Sequence, residues 1–213
     1  MKKLVLVLLC MVLVFSMIGC DSEAKAKAKA ESREKAEFEC GKKTYDDLVA
    51  ASELCEDISY AVYGAWYFSI YEYDDYDTLF RKNAAFSSRV GIWDLEEFLK
   101  TSKGIDDERD WVLYLDDFNY SVDLVIEYLT ANGEIAQLNT LLANAKSELK
   151  SMTQKYSDYT YYPALKQFYA QVVSYAEFIT KPTGSFRELK STIENYENEI
   201  RTYKADLAFV FED

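Results

Sequence analysis

The chain has 213 residues, of which 49% are hydrophobic, and this is enough for one domain with a sizeable core. It contains 7 glycines, 2 prolines and no histidine, which argues against a turn-rich β fold and against histidine-based catalytic and zinc sites. Its formal net charge of −13 argues against binding nucleic acid, because a phosphate backbone is bound by clustered Lys and Arg.

The first twenty residues have the features of an export signal. Two lysines at the start precede the uncharged apolar run Leu4–Phe15, and the sequence Met17-Ile18-Gly19-Cys20 follows it. The ending resembles a lipobox, the signal of bacterial lipoproteins, and the resemblance covers Met1–Cys20 only. It implies a signal peptide over residues 1–19, cleavage before Cys20, and a lipid such as palmitate on Cys20. The body would then be held at the extracytoplasmic face of the bacterial cell membrane.

An uncleaved membrane anchor is the alternative interpretation of this stretch. The apolar run is close to the roughly 20 residues that a membrane-spanning helix needs. A cysteine directly after a glycine at the end of the run favours lipidation over a spanning helix. Both interpretations place the body outside the cytoplasm.

The next segment, Asp21–Glu39, mixes acidic and basic residues with alanine, and Phe38 is its one large apolar side chain. Such a segment cannot bury enough surface to hold a tertiary position. Together with Cys20, residues 20–43 are therefore predicted to be a charged, low-complexity tether that alternates between coil and helix. Thr44 is predicted to cap the first helix of a helical domain over residues 44–213.

Within the body, apolar residues recur at alternating steps of three and four, a pattern typical of helices. Six helical segments are predicted: Thr44 to about Tyr71, Leu79–Lys100, Asp106 or Asp107 to Asn132, Ile135 to about Tyr156, Leu165–Ile179, and Ser185–Val210. Gly91 could kink the second segment, and Pro163 should interrupt the chain after the fourth. Ser185 and Glu188 have the spacing of a capping box.

The last three segments share a period close to 3.5, which favours knobs-into-holes packing. Because the connections are short, neighbouring helices should be antiparallel. The predicted fold is therefore all-α, an elongated antiparallel helical bundle with coiled-coil-like packing of the C-terminal helices.

Cys40 and Cys55 remain after Cys10 and Cys20 are assigned to the signal. An exported protein permits a disulfide between them. The predicted helix argues against this disulfide, because Cys55 would lie about 16 Å from the start of the helix, measured along the helix axis, whereas Cys40 precedes the helix. Cys55 also lies on the apolar stripe, where a free cysteine behaves as a small hydrophobe.

The end of the first predicted helix is unusually aromatic. Its aromatic residues surround more than one face, so some must be exposed and could bind a partner or a sugar. The candidate binding patch comprises Tyr60, Tyr63, Trp66, Tyr67, Tyr71 and Tyr73. The alternative is that many aromatic residues belong to the core. Trp66, Trp93 and Trp111 lie on apolar stripes and are predicted to be buried.

Acidic residues gather after this patch, at Glu72, Asp74, Asp75 and Asp77. Oxygen-rich turns can bind Ca²⁺, but the spacing does not match a calcium-binding loop. An acidic connection between helices is the preferred interpretation, and no metal, cofactor or catalytic residue is predicted.

These observations favour a non-enzymatic, lipid-anchored protein that acts as a scaffold or binding module for an envelope protein or a ligand. One alternative is a lipoprotein that binds a small ligand or sugar through the aromatic end of the first helix. Another is a carboxylate- or metal-dependent envelope hydrolase, which would need acids from two helices to converge in one cleft.

Overall fold

A computed structural model describes the backbone of residues 2–212 and the side chains of residues 25–212. The predicted signal peptide and Cys20 lie outside the residues whose side chains are described. Over residues 2–212 the chain forms eight α-helices and no β-strand, which confirms the all-α prediction.

The helices differ greatly in length. Their bounds are α1 Lys2–Tyr67, α2 Leu79–Val90, α3 Leu95–Phe98, α4 Arg109–Val112, α5 Phe118–Ala131, α6 Glu134–Lys155, α7 Tyr162–Thr180 and α8 Phe186–Phe211. Single π-helical turns follow α1 at Phe68–Glu72 and α3 at Leu99–Lys103, and a 3-10 turn lies at Tyr73–Asp75.

The helix α1 runs without a break through position 44, so the predicted helix start at Thr44 is wrong. The Thr44 hydroxyl donates instead to the carbonyl of Cys40, one helical turn earlier, at 2.9 Å. Alanine, lysine and glutamate have high helix propensity, and Arg33 pairs with Glu37 at 2.6 Å. Tertiary contacts also begin before position 44, because the Phe38 ring lies 5.7 Å from the Phe211 ring.

One stripe of α1 forms the centre of the core, as its apolar spacing predicts. The residues Leu48, Ala51, Cys55, Ile58, Val62 and Ala65 are all fully buried. Around the first half of this stripe pack α6, α7 and α8. The Tyr45 ring contacts both the Phe168 ring of α7 at 6.4 Å and the Phe211 ring of α8 at 5.4 Å.

The last two helices are antiparallel, as predicted. Two pairs of stacked rings join α7 to α8: Tyr175 with Tyr196 at 5.2 Å between centroids, and Phe168 with Tyr203 at 6.0 Å. The predicted capping box at Ser185 is present, and the predicted break before Pro163 lies between α6 and α7.

By contrast, α5 and α6 do not form the predicted antiparallel pair. The Ser121 hydroxyl of α5 contacts Ser69 at 2.9 Å, whereas Glu148 of α6 accepts a bond from Cys40 at 3.3 Å. Both helices therefore run antiparallel to α1, one beyond the other. The turn at Gly133, with φ of +91°, lets the chain continue along α1, where both apolar faces are buried.

Two predicted helices are broken. The second ends at Gly91, whose φ of +74° closes α2 instead of kinking a longer helix. The third is interrupted after α4, and Asp117 caps α5 by accepting from the Asn119 amide at 2.8 Å.

Gly64 is the contact point between α1 and α2, since a β-carbon there would overlap the carbonyl oxygen of Arg89. We expect Gly64→Ala to lower stability by on the order of 2 kcal/mol, because a backbone carbonyl cannot move without moving α2. Gly41→Ala is the matched control, since the atoms nearest to its β-carbon would belong to the Tyr159 and Phe211 side chains, which can shift without moving a backbone. Thermal unfolding followed by circular dichroism measures both variants. A Gly64→Ala protein as stable as the Gly41→Ala protein would contradict this packing.

Candidate functional site

The six residues of the predicted patch lie in different environments. Tyr63, Tyr67 and Tyr71 surround Phe186 at the start of α8, with ring centroids 5.1, 5.9 and 5.5 Å from its ring. The Arg89 guanidinium lies 4.8 Å above the Tyr67 ring and pairs with Glu72. These tyrosines therefore fasten α8 and α2 to the end of α1.

Trp66 and Tyr73 also make internal contacts. Trp66 is 3% exposed, and its ring stacks on the Phe118 ring with centroids 5.0 Å apart. Both residues line a cavity of about 240 Å³. The Tyr73 hydroxyl donates to the Leu113 carbonyl at 3.2 Å, and the Lys82 ammonium lies 3.2 Å from the ring centre.

Tyr60 belongs to an open groove of about 530 Å³ between α1, the segment after α2 and the α5–α6 turn. Its second aromatic wall is Trp93. The prediction that Trp93 is buried is wrong: it is 73% exposed, and Tyr60 is 59% exposed. The chain leaves the helix at Gly91, so Ile92 turns inward and Trp93 turns outward.

The floor of the groove is apolar and the rim is acidic. Buried side chains of Ala61, Val90, Ile92 and Leu129 form the floor. Three carboxylates complete the lining: Asp57 from α1, Asp94 from the segment before α3, and Glu134 from the first turn of α6. Among the described residues that line the groove, none is basic.

A hydrogen bond holds one side of this groove in place. The Tyr128 hydroxyl of α5 donates to Asp94 Oδ1 at 2.6 Å, which ties the segment after α2 to α5. Burial, followed by this bond to a carboxylate, raises the pKa of Tyr128 to about 12. Tyr128 therefore stays protonated and donating over the whole physiological pH range.

Sequence reasoning identified Tyr60 but missed Trp93 and the three carboxylates. A usable signal was present, because a glycine at a possible helix end followed by Ile-Trp-Asp suggests a change of face. The convergence of Asp57 and Glu134 had no local signal, since it depends on α6 returning along α1.

Two of the four acids in the turn after α1 form internal ion pairs. Glu72 pairs with Arg89, and Asp77 pairs with Arg81 at 3.2 Å. Within residues 25–212, no group of three or more Cys, Asp or Glu has an arrangement that could hold a metal ion.

Both cysteines of the body are free thiols. They lie on one continuous helix, about 22 Å apart at 1.5 Å per residue, which is far beyond the reach of a disulfide. Burial raises the pKa of Cys55 to about 12; burial and a bond to Glu148 raise that of Cys40 to about 11.

Comparisons with protein-family models, curated proteins and solved structures find no match for this chain. A search of the helices within residues 25–212 finds none with an apolar stretch long enough to cross a bilayer.

We predict that the Cys20→Ser protein, alkylated after denaturation without reductant, is labelled at both Cys40 and Cys55. In the native protein Cys55 should react much more slowly than Cys40, because it is buried. Mass spectrometry of tryptic peptides assigns the labels. A chain that gains labels at Cys40 and Cys55 only after reduction would contain the disulfide that this fold excludes.

We also expect stability to fall as the pH rises from 10 to about 12. Burial raises the pKa of Tyr128 and of Tyr159 to about 12, and also raises that of Tyr175. A phenol whose folded pKa exceeds its ordinary value stabilises the fold fully below pH 10 and loses that contribution through its folded pKa.

The measurement is the unfolding temperature between pH 9 and pH 12, with phenolate formation followed at 295 nm. The Tyr128→Phe protein is the control and should lose less stability over this interval. An unfolding temperature that is constant up to pH 11.5 would contradict the raised pKa values.

Proposed function

We propose that this chain is a lipid-anchored extracytoplasmic binding module of the bacterial cell envelope, without catalytic activity, and that the Tyr60–Trp93 groove is its binding site. The observation that carries the proposal is the exposure of two large aromatic side chains on one groove with an apolar floor. Tyr and Trp are the side chains most often found at the centres of binding interfaces.

The position of the groove along α1 supports this role. If Cys20 is lipidated, the helix carries Tyr60 about 60 Å from the anchor, at 1.5 Å per residue. The last helix, α8, runs back toward the anchor, because Phe186 at its start contacts Tyr63 and Phe211 at its end contacts Phe38. The groove therefore lies on the part of the body that is remote from the membrane, where another envelope component can reach it.

A second candidate is the binding of a small ligand or sugar at the same groove. Exposed Tyr and Trp faces stack on sugar rings, and carboxylates accept bonds from hydroxyls. A carboxylate-dependent hydrolase is a third candidate, because acids from three elements line one groove. The sugar-binding and hydrolase candidates both predict that a neutral saccharide changes the fluorescence of Trp93 saturably. A module that binds a protein partner predicts no such change.

Site-specific photocrosslinking in the cell tests the binding module. A photoreactive phenylalanine analogue in place of Trp93 should crosslink one discrete partner. The matched control places it at Phe209, which is 89% exposed on α8, far from the groove. Equal products from both positions, or none from position 93, would contradict the proposal.

The anchor is tested separately. The Cys20→Ser protein should lose metabolic labelling with palmitate, because the sulfur that accepts the lipid is removed. The Cys40→Ser protein is the control and should keep its label. Unchanged labelling of Cys20→Ser would contradict lipidation at this residue.

A further inference from the structure

The Tyr60–Trp93 groove is aromatic and negatively charged at the same time. Asp57, Asp94 and Glu134 make no ion pair with any other described residue. By contrast, Glu72, Glu96 and Glu148, which also lie on this body, each pair with an Arg or Lys. A cation that enters the groove therefore meets negative charge that the chain itself does not neutralise.

Aromatic walls add to this preference for a cation. A guanidinium or ammonium group over a Trp or Tyr face is attracted by the ring quadrupole, and Trp attracts it most strongly. The chain already contains this combination beside the groove, where Arg89 lies over Tyr67 and pairs with Glu72. In that internal site Arg89 meets an aromatic face and a carboxylate, the same two components that a bound arginine would meet in the groove.

The shape of the groove favours a segment of a larger partner over a free small molecule. Pockets for small molecules bury about 70–90% of their ligand, whereas both walls here are more than half exposed. The apolar floor at Ala61, Ile92 and Leu129 suits the methylene stem of a long basic side chain. A side chain presented by a protein can use such an open site, because its backbone supplies further contacts.

We infer that the groove binds a basic segment of a partner protein, with an Arg or Lys side chain against Tyr60 or Trp93 and its charge facing Asp57, Asp94 and Glu134. The inference rests on the proposed binding function and names the chemistry of the partner. A neutral sugar would use the rings but would leave the three unpaired carboxylates without a cation.

The fluorescence of Trp93 provides a direct assay. Trp66 and Trp111 are buried, so Trp93 is the exposed one of the three tryptophans. The probe is hexa-arginine with blocked ends, and its control is hexa-citrulline, which has the same shape without charge. Hexa-arginine should change the fluorescence saturably and bind at least about tenfold more tightly than hexa-citrulline, with affinity falling as salt rises.

Charge-matched variants separate the groove from the general acidity of the chain. The groove variant Asp57→Asn/Asp94→Asn/Glu134→Gln should weaken hexa-arginine binding at least about tenfold. The control variant Asp74→Asn/Asp116→Asn/Glu199→Gln removes the same amount of charge from exposed acids outside the groove. It should change the affinity for hexa-arginine less than about twofold. Tyr60→Leu should also weaken binding, and its exposed position makes misfolding a small risk.

Equal losses in the two triple variants would overturn the inference, since binding would then reflect net charge alone. Equal binding of hexa-citrulline, or no binding of hexa-arginine, would overturn it too. The proposed function has its own outcome: a crosslink from position 93 to a neutral or acidic segment would retain the binding module and overturn only its cationic ligand.

Discussion

The burial of one continuous stripe on α1 is the interaction on which the rest of the structure depends. Every other long helix packs against this stripe, α6, α7 and α8 along its first half and α5 along its second. At about 25 cal/mol per Å² of apolar surface, its fully buried side chains are a major source of stability. Removing α1 would leave the apolar faces of α5 and α6 that pack on it without a partner, because the two helices lie one beyond the other along it.

The same helix links the core to the groove. Asp57 and Tyr60 are exposed residues of α1, and they lie one and two positions before the buried residues Ile58 and Val62. The opposite wall is fixed by Gly91, which ends α2, and by the Tyr128 bond to Asp94. The proposed binding surface is therefore built from a rigid helix and a tied segment, and such a surface would need little reorganisation on binding.

Sequence periodicity predicted the helical stripe, the capping box at Ser185 and the break before Pro163, because each depends on residues within one or two turns. It failed where distant contacts decide the outcome. Phe38 in the predicted tether packs against Phe211, 173 positions later, and no local pattern contains that information. Trp93 was predicted to be buried because the helical spacing of the second predicted helix was continued past Gly91. The left-handed backbone at Gly91 ends that helix, so the spacing no longer predicts which side chains after it are buried.

Because α1 is continuous, the segment that composition alone predicts to be a flexible tether is a rigid support. The segment from Lys25 onward is rich in strong helix formers, and it is joined to the body by Arg33, which pairs with Asp158. If Cys20 is lipidated as proposed, the groove is held at a nearly fixed distance from the lipid, and the proposed partner must lie at that distance from the membrane.

Pulsed electron–electron double resonance between spin labels at Lys29 and Glu53 tests this continuity most directly. Both positions are exposed and lie on either side of position 44. A continuous helix predicts a narrow distribution centred on about 36 Å, at 1.5 Å per residue, broadened only by the label side chains. A distribution that is broad or centred at a clearly shorter distance would show a flexible tether before Thr44 and would contradict the account.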